Sequence, residues 1–361
     1  MKILHTESSL GWGGQEIRVL TEARGVARAG HEVLLAAPVE SRIHGEAKRF
    51  GVEAVALPIG RKGVTGLAAL RRLLGQSAFD VVNTHSSTDS WLSALARATS
   101  GSKAAIVRTR HISASVPRNA TTRWLYRQAD RIVTTGEKLR LQVIEEAAVA
   151  PDLVVSVPTG IDLACFHPGE RAAARAATQL PADALVVGIV ATLRSWKGHR
   201  YLIEAIAAMH RADVRLVVVG DGPQREALEA LARERHVPAV FAGNQDDVAP
   251  WLQALDLFCL PSYANEGVPQ ALMQAMACGL PVITTDVGSI GEIVTDGVTG
   301  LLVTPQDAAA LRSAIEALLG DADRRRALGE SAAARARERF GEALMVERMI
   351  AAFETARSAK R

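Results

Sequence analysis

Short apolar, β-branched runs recur along the chain and alternate with longer stretches in which apolar residues return every three to four positions. The first kind predicts strands at 2–6, 32–37, 52–57, 80–84, 104–109, 131–135 and 154–157. The second predicts helices between them, such as 15–29 and 89–99. Strand–helix alternation of this kind gives right-handed crossovers and a parallel sheet covered on both faces. The pattern pauses at Val157-Pro158-Thr159-Gly160, with Pro168 and Gly169 soon after. It then restarts with strands at 185–193, 214–219, 240–242, 255–260, 281–285 and 300–303. After these come a helix at 307–319 and two further helical segments. The class is therefore α/β, with two doubly wound domains of similar plan. The expected divisions are 1–165, 166–340 and a final helical segment 341–361. Ligands of such sheets bind outside the carboxyl ends of the strands, and the expected site is a cleft between the two domains.

Bulk properties narrow this picture a little. A chain of 361 residues is long for one core and comfortable for two. No apolar run approaches the roughly 18–20 residues of a membrane span. Met-Lys-Ile-Leu-His-Thr-Glu-Ser-Ser at the start reads as a buried strand, not a signal peptide. Cys165, Cys259 and Cys278 are odd in number and far apart, and the last two lie in apolar stretches, as core thiols do. Reducing cytosol is the expected compartment. The first 165 residues carry 21 Lys and Arg against 15 Asp and Glu. That excess fits an anionic acceptor or membrane surface, and equally ordinary solvated charge; it is too small for nucleic-acid binding. Arg61-Lys62 followed by Leu67, Leu70, Arg71, Arg72, Leu73 and Leu74 makes a basic, partly amphipathic stretch. It suits either anionic lipid headgroups or a core-facing helix with a solvated basic side.

Ser262-Tyr-Ala-Asn-Glu266-Gly267-Val268-Pro269, continuing to Gln274, Gly279 and Pro281, carries the densest chemistry. A strand end is followed by a helix whose start points free N–H groups outward, a ready anion site. Glu266 stands just before it, where a carboxylate is useful only for hydroxyl groups or a developing cation. A plain buried helix with a capping Glu fits the same residues. Arg194 and Lys197, in Val190-Ala-Thr-Leu-Arg194-Ser-Trp-Lys197-Gly198, put positive charge at a helix start. The helix dipole disfavours them there, which argues for an anionic ligand over solvated bases. Gly11-Trp-Gly13-Gly14-Gln15-Glu16 follows the first strand and opens the first helix. Its glycines allow a phosphate close to the backbone or make a tight turn, and it is not the dinucleotide fingerprint.

The region around Glu266 resembles the Glu-x7-Glu signature of the family 4 retaining glycosyltransferases, which have the GT-B fold of two Rossmann-like domains. Ala275-Met-Ala-Cys-Gly-Leu-Pro-Val-Ile283, Gly220-Asp-Gly-Pro223, Asp256-Leu-Phe-Cys-Leu-Pro-Ser262, Val157-Pro-Thr-Gly-Ile-Asp162 and Asp296-Gly-Val-Thr-Gly-Leu-Leu-Val303 resemble further landmarks of that family, in order along the whole chain. The resemblance implies metal-independent transfer of a sugar from a nucleoside diphosphate sugar, UDP being the commoner base, with no other cofactor. It implies a saccharide or lipid-linked saccharide acceptor, work in bacterial envelope polysaccharide or lipopolysaccharide synthesis, and a cytoplasmic protein with peripheral contact at the inner membrane face. Arg194 and Lys197 would hold the diphosphate, Gln274 the ribose, and Glu266 with the backbone of Gly267 and Val268 the sugar. Gly243 and Asn244 would surround the base, or form an ordinary turn. Gly13, Gly14 and His111 would come to the reacting centre, and His85 and Gln15 would line the acceptor site. The last helix of such proteins often returns to the first domain.

Two positions depart from the family pattern. Gln274 replaces the second Glu, losing the charge-assisted part of a ribose contact, roughly 1 kcal/mol. Ala191-Thr192 stands where Gly-Arg is usual, with Arg194 two positions later. These departures keep two alternatives open: a sugar-nucleotide epimerase of the same plan, and a non-catalytic nucleotide-sugar-binding protein. An NAD-dependent oxidoreductase is the weakest rival. Asp321-Ala-Asp323 spells a metal motif but reads as a helix cap, and His44, His199, His210 and His236 lack metal-ligand spacing.

Overall fold

A computed structural model describes residues 1–112, 114–264 and 266–360. The chain divides into two compact units, Met1–Gly160 with Glu342–Arg361, and Ile161–Gly341. The first holds seven strands: β1 Lys2–Thr6, β2 Glu32–Ala37, β3 Glu53–Ala56, β4 Val81–Thr84, β5 Ala105–Arg110, β6 Arg131–Thr134 and β7 Val154–Ser156. They pair in parallel in the order β3-β2-β1-β4-β5-β6-β7. The second holds β8 Leu185–Val190, β9 Val214–Val219, β10 Ala239–Gly243, β11 Leu257–Leu260, β12 Val282–Thr284 and β13 Leu301–Leu302. Their order is β10-β9-β8-β11-β12-β13, again parallel. Every residue of β4 and β11 is buried, the pattern of strands covered on both faces. Both units are doubly wound Rossmann-like α/β structures. β8 ends at Val190, short of the expected 193. Beyond it Ala191 N–H donates to Val219 C=O at the end of β9 and Leu193 N–H to Asp221 C=O in the following turn, each at 3.0 Å.

In each unit the strand order reverses once. In the first it reverses between β1 and β4, and in the second between β8 and β11. Chain leaving neighbouring strands there turns to opposite sides of the sheet and opens a crevice at the carboxyl edge.

The C-terminal helix Glu342–Ser358 belongs to the first unit, where Met345, Met349 and Phe353 are buried in one cluster with Ile3, Val107 and Val133. Where the chain meets that helix, a Cβ on Gly160 would lie 2.7 Å from the Cα of Glu342, so only glycine fits. The basic stretch forms the helix Val64–Gln76, with Leu70 and Leu74 buried and Leu67 and Leu73 packed on the same core. Its leucines are thus spent on the protein, while Arg71 and Arg72 face outward together with Val64, Thr65, Ala68 and Gln76. Among the described residues no helix is long and apolar enough to cross a membrane. Cys259 and Cys278 are buried, and burial pushes the Cys278 thiol up to about 12. Asp321 accepts from Arg324 N–H at 2.9 Å and caps the helix Ala322–Arg339, while Asp323 pairs with Arg326.

Candidate active site

In the second unit the loops after β8 and β11 meet at the switch point. Tyr263 N–H donates to Trp196 C=O at 2.9 Å, tying them together. Gly198, in the left-handed region at φ 78°, follows Lys197; a Cβ there would lie 2.0 Å from Pro261 O. Glycine therefore lets the two loops close up. Lys197 Nζ then reaches Glu266 Oε1 at 2.7 Å, and the buried Ser262 hydroxyl donates to the same oxygen at 2.6 Å. Glu266 is 3% exposed and Lys197 about one fifth exposed at the side chain. Its loop is pressed from the other side by Gly288, whose Cβ would come within 1.9 Å of Glu266 O.

With Oε1 held by two donors, Glu266 Oε2 makes no hydrogen bond to another described residue. The N–H groups of Gly267 and Val268 likewise donate to none, ahead of the helix Gln270–Ala277. The set offers one carboxylate oxygen, one ammonium and two N–H groups: acceptor for hydroxyls, donors for an anion. Gln274 is half-buried on that helix, and its side chain hydrogen-bonds to no described residue. Arg194 lies elsewhere on the loop. It is exposed, with its guanidinium 5.7 Å from the Trp196 ring centre, and makes no ion pair with Glu266. Gly243 ends β10 at the sheet edge, with φ 70° and its C=O accepting from Gly220 N–H at 2.8 Å; Asn244 beside it is exposed.

In the first unit the switch-point loops carry the rest. Gly13 caps the helix Gly14–Arg28 with extended backbone, and a Cβ on it would meet only Glu16 Oε2 at 3.8 Å. The protein itself does not require glycine there, so the open space is available to a ligand. Gln15 turns inward, donating to Glu7 Oε2 at 2.6 Å and to Ser86 Oγ at 3.2 Å. His85 is buried with both ring nitrogens engaged, Nε2 with His5 Nδ1 and Nδ1 with His111 Nε2, each at 3.0 Å. It holds His111 and has no nitrogen left for an acceptor. His111, after β5, is partly buried; burial pushes its pKa well below the usual value, with Arg18 adding to the effect.

Several groups escaped the sequence reading. Asp89 is fully buried and accepts from Thr6 Oγ1 at 2.9 Å and from His85 N–H at 2.8 Å. Burial, with Glu7 nearby, pushes its carboxyl up to about 8. Glu22 is fully buried on the first helix and accepts from Asn83 Nδ2 at 2.9 Å. In the sequence Ser262 is only a strand end; in the structure its hydroxyl holds Glu266. The one available signal was polarity inside apolar elements: His5 in β1, Glu22 and Asp89 on helix faces that turn to the core. His199, the first residue of the helix His199–Ala207, is also buried, and its pKa is lowered to about 3 by burial and by Lys197.

Several family landmarks prove structural. Asp256 ties Arg175 Nη2 at 2.6 Å and Val186 N–H at 2.8 Å to the start of β11. Asp296 Oδ1 accepts from Leu302 N–H at 2.8 Å. Thr159 accepts from Arg18 Nη1 at 3.0 Å.

Two doubly wound parallel units, each with polar groups gathered at its switch point, define a protein of the GT-B fold. Residues 12–164 match the model described as Glycosyltransferase Family 4, and residues 184–321 that described as Glycosyl transferases group 1. The chain belongs to this glycosyltransferase family. Among solved structures it is similar over 98% of both chains to a glycosyltransferase from Rickettsia africae (TM-score 0.87, 19% identity). It is also similar to Anabaena HepE in complex with UDP-glucose, over 97% of this chain and 98% of that one (TM-score 0.83, 20% identity). The D-inositol 3-phosphate glycosyltransferase of Kribbella flavida is 32% identical over 245 residues, 63% of this chain and 57% of that protein. The protein of the same name from Nocardia farcinica is 35% identical over 234 residues, 61% and 52% of the two chains. The chain thus spans about half the length of these relatives.

Proposed function

We propose that the protein transfers a sugar, with retention at the anomeric carbon, from a nucleoside diphosphate sugar to a saccharide or lipid-linked saccharide acceptor. The observation that carries this reading is the Lys197–Glu266–Ser262 cluster at the β8/β11 switch point. Its free carboxylate oxygen suits donor-sugar hydroxyls, and the N–H groups of Gly267 and Val268 suit an adjacent oxygen. Lys197, and Arg194 if it swings from Trp196, would stabilise charge on the departing diphosphate without a metal, as fixed cations do in a water-poor site. Gln274 would take the ribose, and Gly243 and Asn244 the base. UDP is the proposed nucleotide, supported by the UDP-glucose complex of the similarly folded HepE.

The first unit would hold the acceptor. Its candidate ligand groups are the Gly13–Gly14 helix start, for a phosphate, and the imidazole of His111, for a sugar hydroxyl. The acceptor hydroxyl would then bond to the anomeric carbon as the bond to diphosphate breaks, its proton passing to the departing phosphate oxygen. The setting we propose is bacterial envelope assembly at the cytoplasmic membrane face. Contact with lipid would rest on charges such as Arg71 and Arg72, since the neighbouring leucines are packed inward. The named relatives favour a second acceptor class, an inositol phosphate.

Nucleotide release should be measured with each sugar nucleotide, with and without an oligosaccharide or inositol 3-phosphate. Acceptor-dependent release supports transfer. An isomerised sugar formed from donor alone would point to epimerase chemistry, and binding without turnover to a sensor.

A further inference from the structure

The three imidazoles of the first unit form a continuous line. His111 Nε2 meets His85 Nδ1, and His85 Nε2 meets His5 Nδ1, both at 3.0 Å. Ring centres are 5.3 Å apart in both pairs, with interplanar angles of 35° and 7°. That spacing is what rings joined nitrogen to nitrogen give, so their edges meet and their faces do not. Each nitrogen pair holds one proton, and a neutral imidazole carries only one N–H. With all three rings neutral, the line has two states. Either every ring is protonated on Nε2 and His111 shows a bare Nδ1, or every ring is protonated on Nδ1 and His111 shows an N–H.

Burial enforces that neutrality, lowering His5 to about 3 and pushing His85 and His111 well below their ordinary value. At the inner end, His5 Nε2 and Glu22 Oε2 are both buried without a hydrogen-bond partner among the described residues. A nitrogen of His5, a nitrogen of His85 and a carboxyl oxygen of Glu22 lie within 4.8 Å of one another, so Glu22 stands beside this end of the line. This is no ready metal site, since both His85 nitrogens are already taken by other rings.

We propose that His5, His85 and Glu22 act as positioning residues that set which tautomer His111 turns to the substrate. With Glu22 ionised, the line points its protons inward, and His111 Nδ1 accepts from a sugar hydroxyl. When Glu22 is protonated the line reverses, and His111 Nδ1–H donates. In the exchange His111 Nδ1 gains a proton and passes its Nε2 proton to His85 Nδ1. His85 passes its Nε2 proton to His5 Nδ1, and the Nε2 proton of His5 is relayed to Glu22 by a water that gives up one proton as it takes another. One N–H bond forms for each that breaks, and no ring is left charged.

The charged and titratable surroundings of Glu22 are few. Arg18 on its own helix has Nε 3.7 Å from Oε2. β4 supplies neutral Asn83, held in turn by Thr109 of β5 at 2.8 Å. The C-terminal helix brings Phe353 to His5, and its Glu342 is paired with Arg24. Burial outweighs Arg18 and pushes Glu22 up to about 7, which makes the reversal reachable near neutrality.

The assignment of His111 to the substrate rests on the function proposed above; the proton line itself does not. The full chain, labelled with ¹⁵N-histidine, should be followed by NMR from about pH 6 to about pH 9. His5, His85 and His111 are expected to stay neutral and to exchange Nε2–H for Nδ1–H at one common midpoint. Glu22→Gln should remove that midpoint, and His85→Phe should detach His111 from it. Rings that titrate separately, turn to imidazolium, or hold one fixed tautomer in the wild-type chain would overturn the proposal. So would a midpoint unchanged in Glu22→Gln. A common midpoint without sugar-nucleotide binding would leave the line standing and sink the glycosyltransferase reading instead.

Discussion

Replacing Gly198 by alanine tests the geometry that brings the two loops of the second unit together. The added Cβ would lie 2.0 Å from Pro261 O and 2.7 Å from its carbonyl carbon, and a backbone carbonyl cannot swing aside as a side chain can. The backbone at φ 78° adds left-handed strain of about 1–2 kcal/mol. Relief of the clash needs a backbone shift, typically about 1–3 kcal/mol for an overpacked site. The total is roughly 2–5 kcal/mol, a fall in melting temperature on the order of 5–15 °C for a unit of this size. Pro261 precedes Ser262 and Gly198 follows Lys197, so the same shift separates the two donors on Glu266 Oε1. Loss of sugar-nucleotide affinity should therefore accompany the loss of stability. Gly297→Ala is the control: its φ is 70°, but its Cβ would meet nothing within 4 Å, so it should cost the strain alone. Thermal unfolding of the two variants, with and without ligand, decides. Equal shifts for both would refute the close-approach argument, and unchanged affinity in Gly198→Ala would detach the loops from ligand binding.

Lys197→Ala should lower turnover about 100- to 1000-fold, as loss of one charge-stabilising donor does, and steady-state kinetics checks it. Glu266→Gln should lose comparable turnover while circular dichroism stays native, because the amide keeps the shape; near-wild-type rates would refute either role. Gln274→Glu should keep or tighten donor binding by restoring a charge-assisted ribose contact, and a large loss in a titration would contradict that placement. Stability of the first unit should peak near pH 6.5. Below it, His5, His85 and His111 stay neutral when folded but charge when unfolded, so their contribution falls with pH. Above it, the raised carboxyls of Glu22, at about 7, and Asp89, at about 8, give up protons that the fold holds, so stability falls again. Urea unfolding from pH 5 to 8.5 tests this, and a flat profile would contradict it.

The doubly wound plan was legible because parallel strands buried on both faces appear as unbroken apolar runs, and β11, Leu257–Leu260, is a plain case. Strand ends were less legible. Residues 191–193 look like a continuation of β8, and Ala191 still donates to Val219 at the end of β9, but Leu193 donates to Asp221 in the turn beyond it, which no local pattern records. Glu266 and Lys197 stood out as charges beside helix starts, and the structure joins them directly. Arg194 was nominated by the same charge argument, but its side chain rests on Trp196, a choice that packing makes and spacing does not. His85 was visible as a strand-end histidine, whereas its role depends on His5 and His111, 80 and 26 residues away in sequence. Burial created that network, and burial of polar groups is the property a single sequence conceals best.

The central claim is that the β8/β11 switch point holds a nucleoside diphosphate sugar. Isothermal titration of the full chain with UDP-, GDP-, ADP-, CMP- and dTDP-sugars tests it most directly, repeated on Lys197→Ala and Glu266→Gln. The account predicts binding of one nucleotide family, UDP foremost, weakened at least about tenfold in both variants, a loss of about 1.4 kcal/mol. No binding by any of these sugars, or binding that neither substitution changes, would contradict it.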